Sequence, residues 1–431
     1  MFKLNINSKG FSFFGKMTGG YFITTIINNA LPFLLLPVLT RHLIPADYAN
    51  IALFTAYVAI ACSVTGSTIN AYVAKIFFEK PREYISAVIG NSIIVLLTLT
   101  LLFTCILIIS HFFYPDFIGL PLNWVLMVPL GSFTYLILQI LLGVLRNQKK
   151  VIVFSYYQVG NTILNVGFTL LFVAFFLWGW KGRILSIVLA TSISSLLSLY
   201  YLKRIKLISI NFNKNIFKSI SQFVLTLIPN SLQSVIVTRV GIFFMQYYFT
   251  KELLGIYSVG FQVAYVVMIM LITLNLSWSP FLYEQLSRKE KMNKTYVVRM
   301  LYLHIFIAIL GAVGVNLVSG FVIKIMTTEA YQSAKDFIPF LTAGMLFNGA
   351  SMLLMPILIH QNKQKYISII SIINLAVMFL FYNFSISIFD YMGVVYAYFL
   401  TYIFMFILIF LKIINTMKLP WIKALIIFKK T

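Results

Sequence analysis

One arginine lies where a charged side chain needs an explanation. Arg239 falls within a long, mostly apolar run, residues 226–243. If that run spans a membrane, the charge costs about 3 kcal/mol on insertion scales, which points to a functional role. A guanidinium facing a cavity can hold two phosphate oxygens at once. The structural alternative is an arginine that extends to the membrane surface or bonds to carbonyls of a neighbouring helix.

Amides and prolines occur together in two apolar runs. Asn28 and Asn29 precede Arg41 in the first run, and Asn230 directly follows Pro229 in a later one. Amides within a span must bond across helices or line water, and carbonyls freed by a proline can line a cavity. The alternatives are an Arg41 that reaches the membrane interface and prolines that only kink their helices.

The ten acidic residues lie towards the ends of the apolar runs. A transporter that binds cations or relays protons usually keeps a carboxylate near mid-membrane, so this distribution disfavours cation export. The sequence contains no nucleotide-binding glycine loop, nucleophile triad or metal-ligand cluster. We therefore expect no cofactor, no metal and no enzymatic activity.

Helices within a bilayer have to position these residues. The chain has 431 residues, 61% hydrophobic and 10% charged, with a mean hydropathy of +0.94. A membrane helix needs about 20 apolar residues, and such runs recur along the chain. We predict an all-α polytopic membrane protein of about twelve transmembrane helices, at 18–40, 49–73, 85–110, 122–144, 152–178, 184–202, 220–248, 255–280, 297–322, 337–359, 366–388 and 392–411.

The basic residues predict the orientation of these helices. With both termini in the cytoplasm, 26 of the 33 lysines and arginines lie on the cytoplasmic side, 6 lie outside and Arg239 lies within a span. Cytoplasmic loops of membrane proteins are enriched in these residues. The formal net charge of +23 then faces anionic membrane lipid. A nucleic-acid-binding function would need a soluble module, for which the short loops leave no room.

The chain reads as two halves. We predict a six-helix bundle at 1–202, a cytoplasmic linker at 203–219 and a second six-helix bundle at 220–431. The stretch RHLIPADYANIAL at 41–53 resembles FTKELLGIYS at 249–258. An offset of six helices keeps both halves in the same orientation, as in parallel internal repeats.

Six motifs follow one another along the chain: LPFLLLPVLTRHL at 31–43, KIFFE at 75–79, IPNSL at 228–232, TR at 238–239, GIYSVGFQ at 255–262 and WSPFLYE at 278–284. This ordered set resembles bacterial polysaccharide flippases, the O-antigen type of the multidrug/oligosaccharidyl-lipid/polysaccharide exporter superfamily. The sequence departs from that pattern at Thr238, where many relatives have an acid, and at Ala49, where glycine is usual.

The resemblance implies two six-helix bundles in the bacterial inner membrane. They would alternate between inward and outward openings and move an undecaprenyl-pyrophosphate-linked oligosaccharide to the outer leaflet, with a possible dependence on an ion gradient. Lys75 and Arg299 would guide the headgroup at the cytoplasmic side. The candidate substrate-binding residues are Arg239, Arg41, Asn28, Asn29, Asn230, Lys75 and Arg299.

Two other functions stay open at this point. A cation-coupled drug exporter of the same superfamily would share the architecture, and a mid-membrane acid would favour it. A membrane glycan polymerase or lipid-sugar glycosyltransferase usually needs a sizeable external loop with catalytic residues, and the predicted outer loops are short.

Overall fold

The protein is all-α, as predicted. The computed structural model describes residues 28, 33, 35–209, 211–287, 293–361 and 363–426, and throughout this part of the chain the regular elements are helices. Residues 35–42 are helical. The helices that follow are α1 (Pro45–Thr65), α2 (Ile69–Ile76), α3 (Arg82–Phe113), α4 (Pro115–Ile118), α5 (Leu122–Val125), α6 (Met127–Asn147), α7 (Val151–Thr169), α8 (Gly179–Arg204), α9 (Lys214–Tyr248), α10 (Lys251–Ser287), α11 (Lys294–Met326), α12 (Ala334–His360), α13 (Gln364–Phe389), α14 (Met392–Thr416) and α15 (Trp421–Ile426).

Eleven of these segments are long and apolar enough to cross a membrane. They coincide with eleven of the twelve predicted spans, because lipid offers the backbone no hydrogen-bond partner and each apolar run must bond within itself as a helix. Most of the first predicted span, 18–40, lies outside the described residues.

Two predicted spans differ from the observed helices. The predicted second span, 49–73, is interrupted by a turn at 66–68 between α1 and α2. The predicted fifth span does not stay α-helical to its end, since α7 continues as a π-helix over Leu170–Phe175. The next helix begins at Gly179, five residues before the predicted start of the sixth span.

Asparagines fix the start of α9. Asn213 accepts hydrogen bonds from the backbone N–H groups of Asn215 and Ile216, at 3.0 and 3.1 Å, which supplies partners for donors that a helix start leaves open. Buried Asn91 of α3 holds the same connection, because its Oδ1 accepts from Asn213 N at 3.0 Å and its Nδ2 donates to the Asn211 carbonyl at 3.1 Å. The approach to α9 is thereby tied to α3.

The chain divides into two compact units, and the boundary lies within α9, between Ile242 and Phe243. The first unit has an apolar core formed by α2, α3, α6 and parts of α7, α8 and α9. In the second unit α10 packs on α12, and α14 packs on both α12 and α13. Trp278 of α10 is fully buried and its Nε1 donates to the Leu353 carbonyl of α12 at 2.7 Å. The predicted organisation into bundles at 1–202 and 220–431 stays a prediction.

The orientation can be tested with reporter fusions. From the distribution of basic residues we expect fusions after Lys150, Lys214 and Thr431 to report the cytoplasm, and a fusion near Pro115 to report the outside. Paired alkaline phosphatase and fluorescent protein fusions would measure this. An external C-terminus would contradict the even number of spans.

Candidate functional site

The exposed face of α9 is polar. Residues four apart are neighbours on a helix surface, and at about 1.5 Å per residue the uncharged polar residues between positions 222 and 234 extend over about 18 Å of a hydrocarbon core about 30 Å thick. The rest of the protein covers little of this span, since only 17% of its most apolar segment is buried. Because lipid cannot hydrogen-bond polar groups, such a face favours water or a polar substrate within the membrane. We call five exposed residues the polar row: Lys218, Gln222, Thr226, Asn230 and Ser234.

The other side of α9 anchors the helix in the first unit. Ile216, Ile220 and Val224 are buried in that unit's apolar core. Further along, the Ser231 hydroxyl donates to the Ser63 carbonyl of α1 at 2.9 Å. These contacts fix the rotation of α9, so the polar row is held outside the core.

Pro229 adds a backbone acceptor to this face. Proline has no N–H, so the carbonyl of Leu225, one turn earlier, loses its usual helical donor. Leu225 and Pro229 are both exposed. The predicted combination of a proline with Asn230 therefore lies on the exposed face of the helix.

Arg239 lies on the same helix but on a different side. It is half-buried, nine residues after Asn230. Nine residues of a regular helix turn through about 900°, which places the two side chains on opposite sides. Arg239 and Asn230, both predicted to bind substrate, therefore cannot hold one chemical group from the same side of α9.

Asn28 bonds to a helix of the first unit. Its Oδ1 accepts from the Thr162 hydroxyl of α7 at 3.2 Å, so this amide bonds across helices, one of the two roles expected for it. Asn29, the second predicted amide, lies outside the described residues.

The remaining predicted residues are spread over three places. Arg41 is exposed at the end of the helical residues 35–42, and Lys75 is exposed in α2. Arg299 is half-buried in α11, in the second unit. Their roles in binding stay predictions.

A buried polar cluster lies between α7 and α8. Arg183, which is 7% exposed, donates from Nη1 to Asn165 Oδ1 at 2.6 Å and to the Thr169 hydroxyl at 2.7 Å. Further along the same pair of helices, the Ser194 hydroxyl donates to Asn161 Oδ1 at 3.1 Å. A buried guanidinium is costly unless such hydrogen bonds compensate it. The cluster therefore fixes α7 against α8.

Gly182 allows the helices to approach this closely. A Cβ at this position would lie 2.9 Å from the Phe172 carbonyl oxygen. That carbonyl belongs to the π-helix at the end of α7. A π-helical turn is wider than an α-helical turn and is often found near functional sites.

The predicted sixth span, 184–202, leaves Arg183 in the connection before the helix, and this boundary is wrong. Because α8 begins at Gly179, Arg183 lies inside the helix and is buried. The sequence does carry a sign of this polar cluster. Polar residues recur every four positions in α7, at Asn161, Asn165 and Thr169, and so share one face of that helix.

Acidic residues stay away from the middle of the spans. Each described acid lies near a helix end or in a connection; Asp47, Glu252 and Asp336, for example, lie in first turns. Within the described ranges, no group of three or more histidine, cysteine or acidic residues could hold a metal.

A family model described as polysaccharide biosynthesis protein matches residues 14–286. This match covers more than half of the chain, including the polar row and Arg239.

Curated and solved proteins extend the comparison. An uncharacterized membrane protein of Haemophilus influenzae is 24% identical over 276 residues, which are 62% of this chain and 65% of that protein. The chain thus matches a little under two thirds of that relative's length. The lipid II flippase MurJ, in an inward closed conformation, superposes with a TM-score of 0.70 at 15% identity, covering 92% of this chain and 87% of MurJ.

A second solved structure is an inward-facing multidrug resistance MATE family transporter of the MOP superfamily. It superposes with a TM-score of 0.66 at 16% identity, covering 90% of this chain and 95% of the transporter. Identities this low establish a shared fold and nothing finer.

Proposed function

Because the chain belongs to the polysaccharide biosynthesis protein family and has the fold of flippases and transporters of the MOP superfamily, we propose that it flips a lipid-linked oligosaccharide. The substrate would be an undecaprenyl-pyrophosphate-linked repeat unit, moved from the cytoplasmic to the outer leaflet of the bacterial inner membrane by alternating access. O-antigen, a component of lipopolysaccharide, is the product class that the sequence resemblance implies. The chain itself performs no bond chemistry in this proposal.

The polar row is the observation that carries this proposal. Amide and hydroxyl side chains exchange hydrogen bonds readily with sugar hydroxyls and with water. Four of the five residues in the row are uncharged, and they extend over about 18 Å of the hydrocarbon core. A glycan that follows such a path keeps hydrogen-bond partners throughout the crossing, while its lipid tail stays in the bilayer.

The pyrophosphate requires cations. Arg239 is the candidate for the main contact, since a guanidinium can bind phosphate oxygens in bidentate fashion. Arg41, Lys75 and Arg299 would act at other stages of the crossing. In this scheme the sugar and the pyrophosphate use different sides of α9, which agrees with the opposite placement of Asn230 and Arg239.

A cation-coupled drug exporter is the second candidate, and the likeness to a multidrug transporter favours it. Such an exporter needs a carboxylate or an equivalent group that holds a cation within the membrane. The described acids lie near helix ends and in connections. This distribution, together with the family match, leads us to prefer a lipid-linked glycan as the substrate.

Two measurements test the flippase function. Loss of the gene should leave complete lipid-linked repeat units in the cytoplasmic leaflet, with unchanged sugar composition. Purified protein in proteoliposomes should move that lipid across the bilayer without changing its mass, and an imposed ion gradient would reveal any coupling. Protein-free liposomes are the control for spontaneous movement.

Other outcomes would identify the alternatives. Truncated glycans in the deletion strain would point to a glycosyltransferase, and complete units accumulating in the outer leaflet would point to a polymerase. Ion-driven efflux of a cationic dye without movement of the lipid-linked glycan would point to the drug exporter.

A further inference from the structure

Three connections of the first unit meet in one recess. It has a volume of about 530 Å³ and is lined by Asp47 from the first turn of α1, Trp124 of α5, and Trp178, Trp180 and Lys181 at the start of α8. This volume lies within the range of about 300–1,000 Å³ that is usual for small-molecule sites. The distribution of basic residues predicts that these connections are external. Three of the chain's five tryptophans are therefore gathered at one end of the unit.

The tryptophan rings are fixed by aromatic neighbours. Trp178 stacks on Phe172 with ring centroids 5.0 Å apart and planes at 10°, yet it remains 49% exposed. Trp124 meets Trp180 edge to face at 5.2 Å. Lys181 places its Nζ 6.0 Å from the centre of the Trp180 ring. Rings held in this way need little reordering when a ligand binds, which favours affinity.

A carboxylate completes the lining. Asp47 is half-buried, and among the described residues its side chain has no hydrogen-bond or ion-pair partner. Gly179 lies next to it with φ of +60°, a conformation that favours glycine, and a Cβ there would lie 3.6 Å from Asp47 Oδ2. The backbone thus bends in a way that leaves the carboxylate room to accept hydrogen bonds from a ligand.

Two kinds of ligand suit tryptophans at a membrane surface. Tryptophans commonly lie among lipid headgroups, where Lys181 would attract a phosphate group and Asp47 would repel it, so the two charges of the recess do not select an anion. Sugars have apolar C–H faces that stack on aromatic rings, and hydroxyl groups that donate charge-assisted hydrogen bonds to a carboxylate. The combination of tryptophan rings with the Asp47 carboxylate therefore favours a sugar over a phospholipid.

We propose that this recess is a saccharide-binding subsite that holds sugar residues of the glycan at the external end of the first unit. The inference rests on the proposed function and names a place where the translocated glycan is received. It adds Asp47, Trp178 and Trp180 to the residues that recognise substrate, and none of the three was a predicted site residue.

Binding can be measured separately from transport. The probe is lipid-free repeat-unit oligosaccharide, released by mild acid from the host strain's surface polysaccharide and titrated into the intact protein in phospholipid nanodiscs. We expect a saturable change in tryptophan fluorescence, because most of the chain's tryptophans line the recess. Trp180→Ala and Asp47→Asn should each weaken binding about tenfold, since aromatic anchors and desolvated charged contacts dominate binding energies.

Matched substitutions serve as controls. Trp421→Phe changes a tryptophan outside the recess, and Asp336→Asn changes an exposed acid in the first turn of α12. Both should bind the oligosaccharide as the unchanged protein does.

The possible results separate this inference from the proposed function. Transport of the lipid-linked glycan without saturable oligosaccharide binding, or equal binding by the Asp47→Asn and unchanged proteins, would overturn the subsite and leave the flippase standing. A fluorescence change with glycerol phosphate instead of sugar would assign the recess to lipid headgroups. Oligosaccharide binding that depends on Asp47, in a protein that fails to move the lipid, would support the subsite while the flippase proposal fails.

Discussion

Replacing Arg239 by alanine should abolish transport of the lipid-linked glycan while the protein stays in the membrane. Truncating one partner of a buried charge pair costs about 2–5 kcal/mol, so transport at low substrate concentration should fall at least about thirtyfold. Arg239→Lys should retain part of the activity, because an ammonium keeps the charge but lacks the bidentate geometry. Initial rates in proteoliposomes would measure both variants.

Arg204→Ala provides a matched control for this substitution. Arg204 is an exposed arginine at the last residue of α8, and its removal changes the net charge by the same amount at the end of a span instead of within it. We expect near-normal transport from this variant. Normal transport by Arg239→Ala would show that the arginine has a structural role and that the pyrophosphate binds elsewhere.

Making the polar row apolar should lower transport strongly, as Arg239→Ala does, while membrane insertion stays the same or improves. The variant Thr226→Val, Asn230→Leu, Ser234→Ala removes three hydrogen-bonding side chains from the exposed face of α9. Apolar side chains insert more readily into a bilayer, so expression in the membrane should hold or rise. Each lost hydrogen bond costs about 1 kcal/mol or more, so transport should fall about tenfold or more.

A second set of substitutions tests whether the loss of hydroxyls matters specifically on α9 or on any membrane helix. Thr98 and Thr104 of α3 donate to carbonyls of their own helix at 2.9 and 2.8 Å, as Thr226 does at 2.7 Å. The variant Thr98→Val, Thr104→Val should transport normally. Equal loss in both variants, or normal transport by the α9 variant, would show that the polar row does not line the substrate's path.

Much of the fold could be predicted because membrane insertion depends on local sequence. A span must be apolar over about 20 residues and must satisfy its own backbone hydrogen bonds. Both requirements can be read from a run such as 85–110 without knowing its neighbours, and the corresponding helix is Arg82–Phe113. The motifs at 228–232 and 238–239 likewise indicated the family before any comparison of folds.

The candidate site was less predictable, since it depends on which side of each helix is covered. The sequence drew attention to Asn230 as a single amide next to a proline. The tertiary structure revealed the exposed row to which it belongs, because the burial of Ile216, Ile220 and Val224 determines which side of α9 stays uncovered. The same packing separates Asn230 from Arg239, two residues that the sequence had placed in one site.

The sequence by itself determined the approximate limits of eleven spans, the family, and the scarcity of acids within the apolar runs. Only the tertiary structure decided that Arg183 is buried against Asn165 and Thr169, and that Asp47 shares a recess with tryptophans from two other connections. The physical reason is that hydrophobicity adds up along a segment, whereas contacts join residues as far apart in the chain as Ser63 and Ser231, which are separated by 168 positions. Such contacts depend on how the helices pack, which no single apolar run specifies.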